Sequence, residues 1–180
     1  MVIVQGSYTD PDIIERLANA LQAICYDPNN MPLFLCIGSD RHILDSFGPL
    51  TGSLLKDKVA ALDVYGTLEE PLHARNLVSS INHIYRLHPA RLEIAIDASL
   101  GNDDDLGVIR IRQGPLLPGK ALSKRLPPLG HLSITGVVGT RSEKYHLRSN
   151  SGSLSTVYGM AWAVSEAVIN WYNRILDNSP

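Results

Sequence analysis

Asp97 is the residue of this sequence best placed to do chemistry, because it directly follows the apolar run LEIAI. A carboxylate at the carboxyl end of a buried strand is partly desolvated, which raises its pKa. Asp40 and Asp45, in the loop SDRHILDS after another apolar run, could face the same crevice. Where two carboxyl groups meet, repulsion keeps one protonated while the other is ionised. Such a pair can activate a water molecule and polarise a carbonyl, which predicts hydrolysis without a metal or a covalent intermediate.

Each of these aspartates also has a purely structural interpretation. Asp97 could accept hydrogen bonds from the backbone amides of a following turn. Asp45 could be the N-cap residue of a helix that begins at Phe47. Asp40 could form a surface ion pair with its neighbour Arg41. The residues alone leave both interpretations open for each position.

The histidines give weaker indications. His42 lies in the crevice loop, and His73 and His83 fall on a predicted helix, without the spacing of a paired-histidine metal motif. We expect surface or core roles for them. His131 is the exception, because it follows a long Pro- and Gly-rich loop at 114–130. Loops of that length are usually functional or disordered.

Alternating strands and helices must position these residues. Buried apolar runs predict strands at 33–37, 60–65, 92–96, 108–111 and 133–138. Helical spacing predicts helices from an Asp10 N-cap to about 24, at 47–56, from a Thr67–Glu70 capping box to about 88, and at 157–176. This order predicts a single α/β domain over 1–180, a three-layer sandwich with a mostly parallel sheet.

In such a sheet, ligands bind beyond the carboxyl ends of the strands. This rule selects the segments 38–48, 66–70 and 97–105, and the long loop 114–130 is expected to wall the cleft. We expect five further residues of these regions and their borders to bind substrate or support the loops: Gly38, Asp40, Arg41, Thr67 and His131.

Composition excludes several classes of protein. Sixteen basic and eighteen acidic residues leave a net charge of -2, so no basic field indicates nucleic acid. No apolar run reaches the roughly 18 residues of a membrane span. Cys25 and Cys36 are too few for a disulfide framework or a zinc cluster and suit a reducing compartment. We therefore expect a cytoplasmic protein without a cofactor, a nucleic-acid partner or a membrane partner.

Four segments together resemble a known family. They are FLCIGSDRHILDSFGPLTG, VYGTLEEPLHARNL, IAIDASLG, and GPLLPGK followed by LPPLGHLSITGVVG. They look like the YyaC-type spore-protease family of endospore-forming bacteria, over about residues 30–170. That family is in turn similar to the germination protease of spores and to hydrogenase maturation proteases. The resemblance implies the phosphorylase/hydrolase-like α/β sandwich that these proteins share.

The resemblance also implies an activity. The germination protease motif places its first catalytic aspartate on Asp45 and its second on Asp97. The implied reaction is peptide-bond hydrolysis by this aspartate pair in a sporulating cell or spore. The implied substrate is a protein or peptide, with small acid-soluble spore proteins as the family's example.

Two alternatives remain. The chain could be a non-catalytic binding or regulatory module of spore formation, with the aspartates as caps. It could instead be a metal-dependent, maturation-type peptidase that uses Asp45, Asp97 and His131. Hydrogenase maturation proteases bind nickel through acidic groups and a histidine. Their second carboxylate falls near Val64, which cannot ligate a metal, so the resemblance argues against nickel.

Overall fold

A computed structural model describes residues 1–28, 30–118, 127–140 and 152–177. Within these residues, six strands form one sheet in the order β1-β5-β6-β4-β2-β3. The strands are β1 (Val2–Ser7), β2 (Leu33–Cys36), β3 (Val64–Tyr65), β4 (Glu93–Gly101), β5 (Val108–Gln113) and β6 (Leu132–Thr140). The helices are α1 (Ile13–Ile24), α2 (Phe47–Lys58), α3 (Leu77–Leu87) and α4 (Leu154–Asp177). None of these helices is long and apolar enough to cross a membrane.

The sheet is parallel on one side and antiparallel on the other. Strands β6, β4, β2 and β3 are parallel to one another, whereas β5 pairs antiparallel with both β1 and β6. The predicted α/β class is confirmed, with a mixed sheet flanked by helices. The carboxyl ends of β2 and β4 therefore lie side by side.

Strand β2 is buried on both faces and divides the core. Phe34 and Cys36 belong to the cluster that contains residues of α1, α2 and α4. Leu33 and Leu35 belong to the cluster that contains residues of α3. Successive side chains of a strand point to opposite faces, so three helices cover one face and α3 covers the other. This arrangement confirms the strand predicted at 33–37.

Helix α2 lies unusually close to the sheet because of two glycines one turn apart. A Cβ atom on Gly48 would lie 2.1 Å from the carbonyl oxygen of Ile37, and one on Gly52 would lie 2.1 Å from that of Gly66. Backbone therefore packs against backbone at the carboxyl end of β2. This contact fixes the start of α2 directly beside that end.

Two element boundaries near the amino terminus differ from the prediction. Strand β1 was not predicted, and α1 begins at Ile13. Asp10 caps no helix; its carboxylate accepts the amide of Ser7 at 3.0 Å. The side chain therefore closes the turn that follows β1.

The capping-box prediction for the third helix is wrong. The Thr67 hydroxyl accepts the amide of Glu70 at 3.1 Å, as a capping residue would, yet α3 begins only at Leu77. The intervening segment instead forms a parallel bridge between Leu72 and Ile37. Strand β3 is also shorter than the predicted 60–65.

Strand β4 does not end at Asp97. It continues to Gly101 and pairs with β6 as far as Thr140, with an irregularity between Ser99 and Leu100. Its pairing with β2 stops at Ile96, which faces Cys36. Asp97 is therefore the first residue of β4 beyond the paired part of β2.

Candidate active site

The loop after β2 folds back tightly over Gly38. The Gly38 amide donates to the carbonyl of Leu72 at 2.9 Å, and the Ser39 amide donates to the carbonyl of Asp45 at 2.9 Å. Gly38 has φ of 143°, and a Cβ atom there would lie 2.0 Å from the Asp45 carbonyl oxygen. Only glycine fits this position without strain. The absence of a side chain at Gly38 thus allows Asp45 to close over it.

Asp45 ends a short 3-10 turn, Ile43–Asp45, immediately before α2. The N-cap residue of α2 is Ser46, which makes no side-chain capping bond and donates its hydroxyl to the Ile43 carbonyl at 2.8 Å. Among the described residues, no α2 amide bonds to the Asp45 carboxylate. The N-cap interpretation of Asp45 is therefore wrong, and its half-buried carboxylate is left for other interactions.

Burial raises the pKa of Asp45, while the nearby His42 and His73 pull it back down. Burial, followed by the charge of Asp45, raises the pKa of Asp97 to about 8, and a hydrogen bond from the Ala98 amide at 2.8 Å opposes this shift. The fold thus brings Asp45 and Asp97 within electrostatic range of each other. A carboxyl group with a pKa of about 8 keeps its proton at neutral pH, so Asp97 is a candidate acid at this site.

His73 lies near Asp45, although nothing in the sequence indicated this placement. It follows Leu72, whose carbonyl binds Gly38, and this contact places it beside the loop of Asp45. Its Nδ1 accepts the Arg75 amide at 3.2 Å, so the neutral ring carries its hydrogen on Nε2. The helical interpretation of the segment from Thr67 concealed this placement.

Asp40 and Arg41 are exposed in the same loop and form no ion pair with each other. The Arg41 amide donates to the Ser39 hydroxyl at 3.2 Å, a bond that supports the loop. Thr67 is buried in the turn that leads from β3.

His131 is not brought to this site. It precedes β6 at the amino edge of the sheet, where its Nδ1 accepts the Glu93 amide at 3.2 Å. Asp97 faces Thr135, four residues further along β6. Part of the loop predicted at 114–130, residues 119–126, lies outside the described residues. The two sides of the loop join in a bridge between Leu116 and Leu129.

The part of the chain that the structure describes does not fit a resident metal ion. Within the described ranges, no three His, Cys, Asp or Glu side chains are grouped so that they could hold one. The alternative metal site lacks its third ligand because His131 lies at the opposite edge from Asp97. The chemical groups at this site are the carboxyl groups of Asp45 and Asp97 and the nearby imidazoles of His42 and His73.

The architecture is similar to that of a solved hydrogenase maturation protease. The chain is similar in structure to the [NiFe] hydrogenase maturation protease HycI from Thermococcus kodakarensis KOD1, with a TM-score of 0.51 and 21% identity. The similarity covers 83% of this chain and 94% of HycI. At this identity the likeness concerns the fold, and it confirms the predicted maturation-protease-like sandwich.

The sequence comparisons define the family. The family described as "Protein of unknown function (DUF1256)" matches residues 5–167. The chain is 35% identical over 164 residues to the "Uncharacterized protein YyaC" of Bacillus subtilis (strain 168), covering 90% of this chain and 80% of that protein. The chain therefore belongs to the DUF1256 family, and its predicted membership of the YyaC-type family is confirmed.

Proposed function

We propose that the chain is a cytoplasmic peptidase of sporulating cells that hydrolyses peptide bonds with Asp45 and Asp97. The observation that carries this proposal is the position of Asp97, which lies just beyond the part of β4 that pairs with β2, near the turn that holds Asp45. Burial and the charge of Asp45 raise the pKa of Asp97 to about 8. An acid that holds its proton at neutral pH beside a second carboxyl group is the arrangement that hydrolysis needs. The maturation-protease-like fold and the resemblance to the germination protease support the same reaction.

The two carboxyl groups take complementary roles in this proposal. Asp45, whose ionised form is favoured by His42 and His73, accepts a proton from a water molecule. The resulting hydroxide attacks the peptide carbonyl carbon while protonated Asp97 donates to the carbonyl oxygen. When the tetrahedral intermediate collapses, the carbon–nitrogen bond breaks and Asp45 passes its proton to the leaving amine. During the same collapse Asp97 takes its proton back from the former carbonyl oxygen, so both carboxyl groups end the cycle as they began.

The direct test is hydrolysis of a small acid-soluble spore protein by the purified chain, followed by mass spectrometry of the fragments. We expect Asp45→Asn and Asp97→Asn each to reduce the rate at least about a hundredfold, the usual contribution of a general acid or base. Asp104→Asn makes the same change at an exposed carboxylate in the turn 103–105 and should retain the rate. Equal rates for all three variants would contradict the proposal.

The same assay separates the alternatives. A non-catalytic module would bind the spore protein without cleaving it, and a metal-dependent peptidase would lose its activity on chelation. The proposed aspartate pair predicts cleavage that survives chelation and depends on both carboxyl groups.

A further inference from the structure

Strand β3 forms the edge of the described sheet and leaves backbone groups facing outwards. It pairs with β2 through Val64 opposite Phe34 and Tyr65 opposite Leu35. The Asp63 carbonyl accepts the Phe34 amide at 2.9 Å. Backbone groups of successive residues in a strand point to opposite sides, so the amide and carbonyl of Val64 face away from β2. No other strand in the described part of the chain pairs with that outer side.

This outer side opens into a cleft of about 710 Å³. Lys56 of α2 lines it from one face of the sheet, and Ser79, Ser80 and His83 of α3 line it from the other. Because α2 and α3 cover opposite faces, β3 forms the floor between them. The segment that follows β3, with Glu69 and Glu70, also lines the cleft. The cleft therefore lies beside the unpaired edge of β3, with hydroxyl, ammonium, carboxylate and imidazole groups on its walls.

The cleft adjoins the loop of Asp45 through one side chain. His73 lines it and acts electrostatically on Asp45. Val64 lies level with Phe34, and Gly38 is four residues further along the same chain. At about 3.3 Å per residue, roughly 13 Å of extended chain separates these levels. A strand added beside β3 would also lie two strand positions, about 10 Å, to the side of β2, and one position further from β4. A substrate must therefore extend beyond the segment bound at β3 to reach the aspartates.

We propose that an extended stretch of the polypeptide substrate pairs with the outer edge of β3 in this cleft and adds a strand to the sheet, while another stretch of the same substrate reaches Asp45 and Asp97. This inference rests on the proposed function. Strand addition recognises the peptide backbone, and side-chain pockets add selectivity. It would hold a substrate segment that has been unfolded or is locally disordered, and it would reject the same sequence in a helix.

The test uses the full chain carrying Asp97→Asn, so that binding is measured without cleavage. Binders are selected from a displayed library of random decapeptides, and one of them is resynthesised with a single N-methyl group at each position in turn. We expect methylation of the residue opposite Val64 to weaken binding about tenfold or more, because it removes a backbone hydrogen bond and blocks close approach. Methylation of the two adjacent residues should be tolerated. No binders, or equal effects at all positions, would overturn the proposal.

Two matched variants test whether the peptide binds in the cleft. Ser80→Tyr fills the cleft from α3, whereas Asn82→Tyr adds the same side chain to an exposed position of α3 that does not line it. We expect the first to weaken peptide binding about tenfold and the second to leave it unchanged. Equal affinities for both variants would place the peptide elsewhere and overturn the proposal.

The same measurements distinguish another occupant of the cleft from a failure of the proposed hydrolysis. If the chain forms a dimer that Ser80→Tyr disrupts, a second copy fills the cleft and the proposal is wrong. If peptides bind with the expected methylation pattern but the unmodified chain cleaves none of them, strand addition stands and the proposed hydrolysis fails. If cleavage occurs and Ser80→Tyr leaves its KM unchanged, hydrolysis stands and strand addition fails.

Discussion

Asp97 binds its proton tightly because burial disfavours its charge and Asp45 repels it, which together raise its pKa to about 8. An unfolded chain lacks both effects, so its Asp97 ionises near pH 4. Between these values the folded chain binds more protons than the unfolded chain. The free energy of unfolding must therefore fall as the pH rises through this window and level off above it.

Replacing Asp97 by Asn should remove this loss of stability. We expect the unmodified chain to lose roughly 2–5 kcal/mol of its free energy of unfolding between about pH 4 and pH 8, and Asp97→Asn to lose much less. Urea unfolding at several pH values measures the difference. Asp104→Asn, at an exposed site, should follow the unmodified chain. A variant at Asp97 with the same pH dependence as the unmodified chain would contradict the raised pKa.

Gly38 provides a second prediction about a single residue. A methyl group at Gly38 would collide with the Asp45 carbonyl, whereas Gly114, with φ of 104°, has nothing within 4 Å of the same position. Gly114→Ala therefore suffers only the backbone strain of about 1–2 kcal/mol. We expect Gly38→Ala to cost at least about 2 kcal/mol more, measured by urea unfolding. Equal costs would mean that the loop does not close over Gly38 as described.

The sequence identified parts of this site for physical reasons. Asp97 follows a run of apolar residues that must be buried, so its position at the sheet is readable from the chain. Asp40 and Asp45 share one loop, and only the family resemblance favoured Asp45. His73 was missed because its approach depends on the bond between Leu72 and Gly38, two residues far apart in sequence.

At the scale of elements, tertiary pairing decided the boundaries that the sequence missed. The residues after Asp97 are mostly small and lack the apolar pattern of a buried strand, but pairing with β6 extends β4 to Gly101. Strand β1 is mostly exposed and depends on pairing with the distant β5. Leu72 is drawn into a bridge with Ile37, which overrides the helical signal at Thr67. The strand at 33–37 was predictable because it is buried on both faces and needs no particular partner to be recognised.

Hydrogen exchange tests the extension of β4. We expect amides within 98–101 that pair with β6 to be protected, because exchange then requires that the strands separate. The exposed turn Asp103–Asp105 provides an internal comparison that should exchange faster. Exchange throughout 98–101 as fast as in that turn would show that the strand ends at Asp97.

At the scale of the whole molecule, the core that holds the sheet is separate from the groups that would do chemistry. Trp171 of α4 is fully buried, stacks edge-on against Phe34 with ring centres 6.2 Å apart, and donates its Nε1 hydrogen to the Cys25 carbonyl at 2.7 Å. This side chain joins α4, β2 and the end of α1. It should therefore affect stability without altering the aspartate pair.

Two tryptophans on α4 allow a controlled test of this separation. We expect Trp171→Phe to lower the free energy of unfolding by about 2–4 kcal/mol, because it leaves a cavity and an unpaired carbonyl. Trp162, which is 43% exposed, should tolerate Trp162→Phe within about 0.5 kcal/mol. Denaturant unfolding measures both. Equal effects of the two changes would contradict the described core.

The proposed hydrolysis depends on Asp45 and Asp97 titrating as one coupled pair. Nuclear magnetic resonance of the side-chain carboxyl carbons measures this directly in the unmodified chain and in Asp45→Asn. We expect Asp97 to titrate near pH 8 in the unmodified chain. In Asp45→Asn it should titrate at lower pH, because the repulsion from the Asp45 carboxylate is gone. An Asp97 that titrates near pH 4, or one whose titration ignores the loss of Asp45, would contradict this coupling.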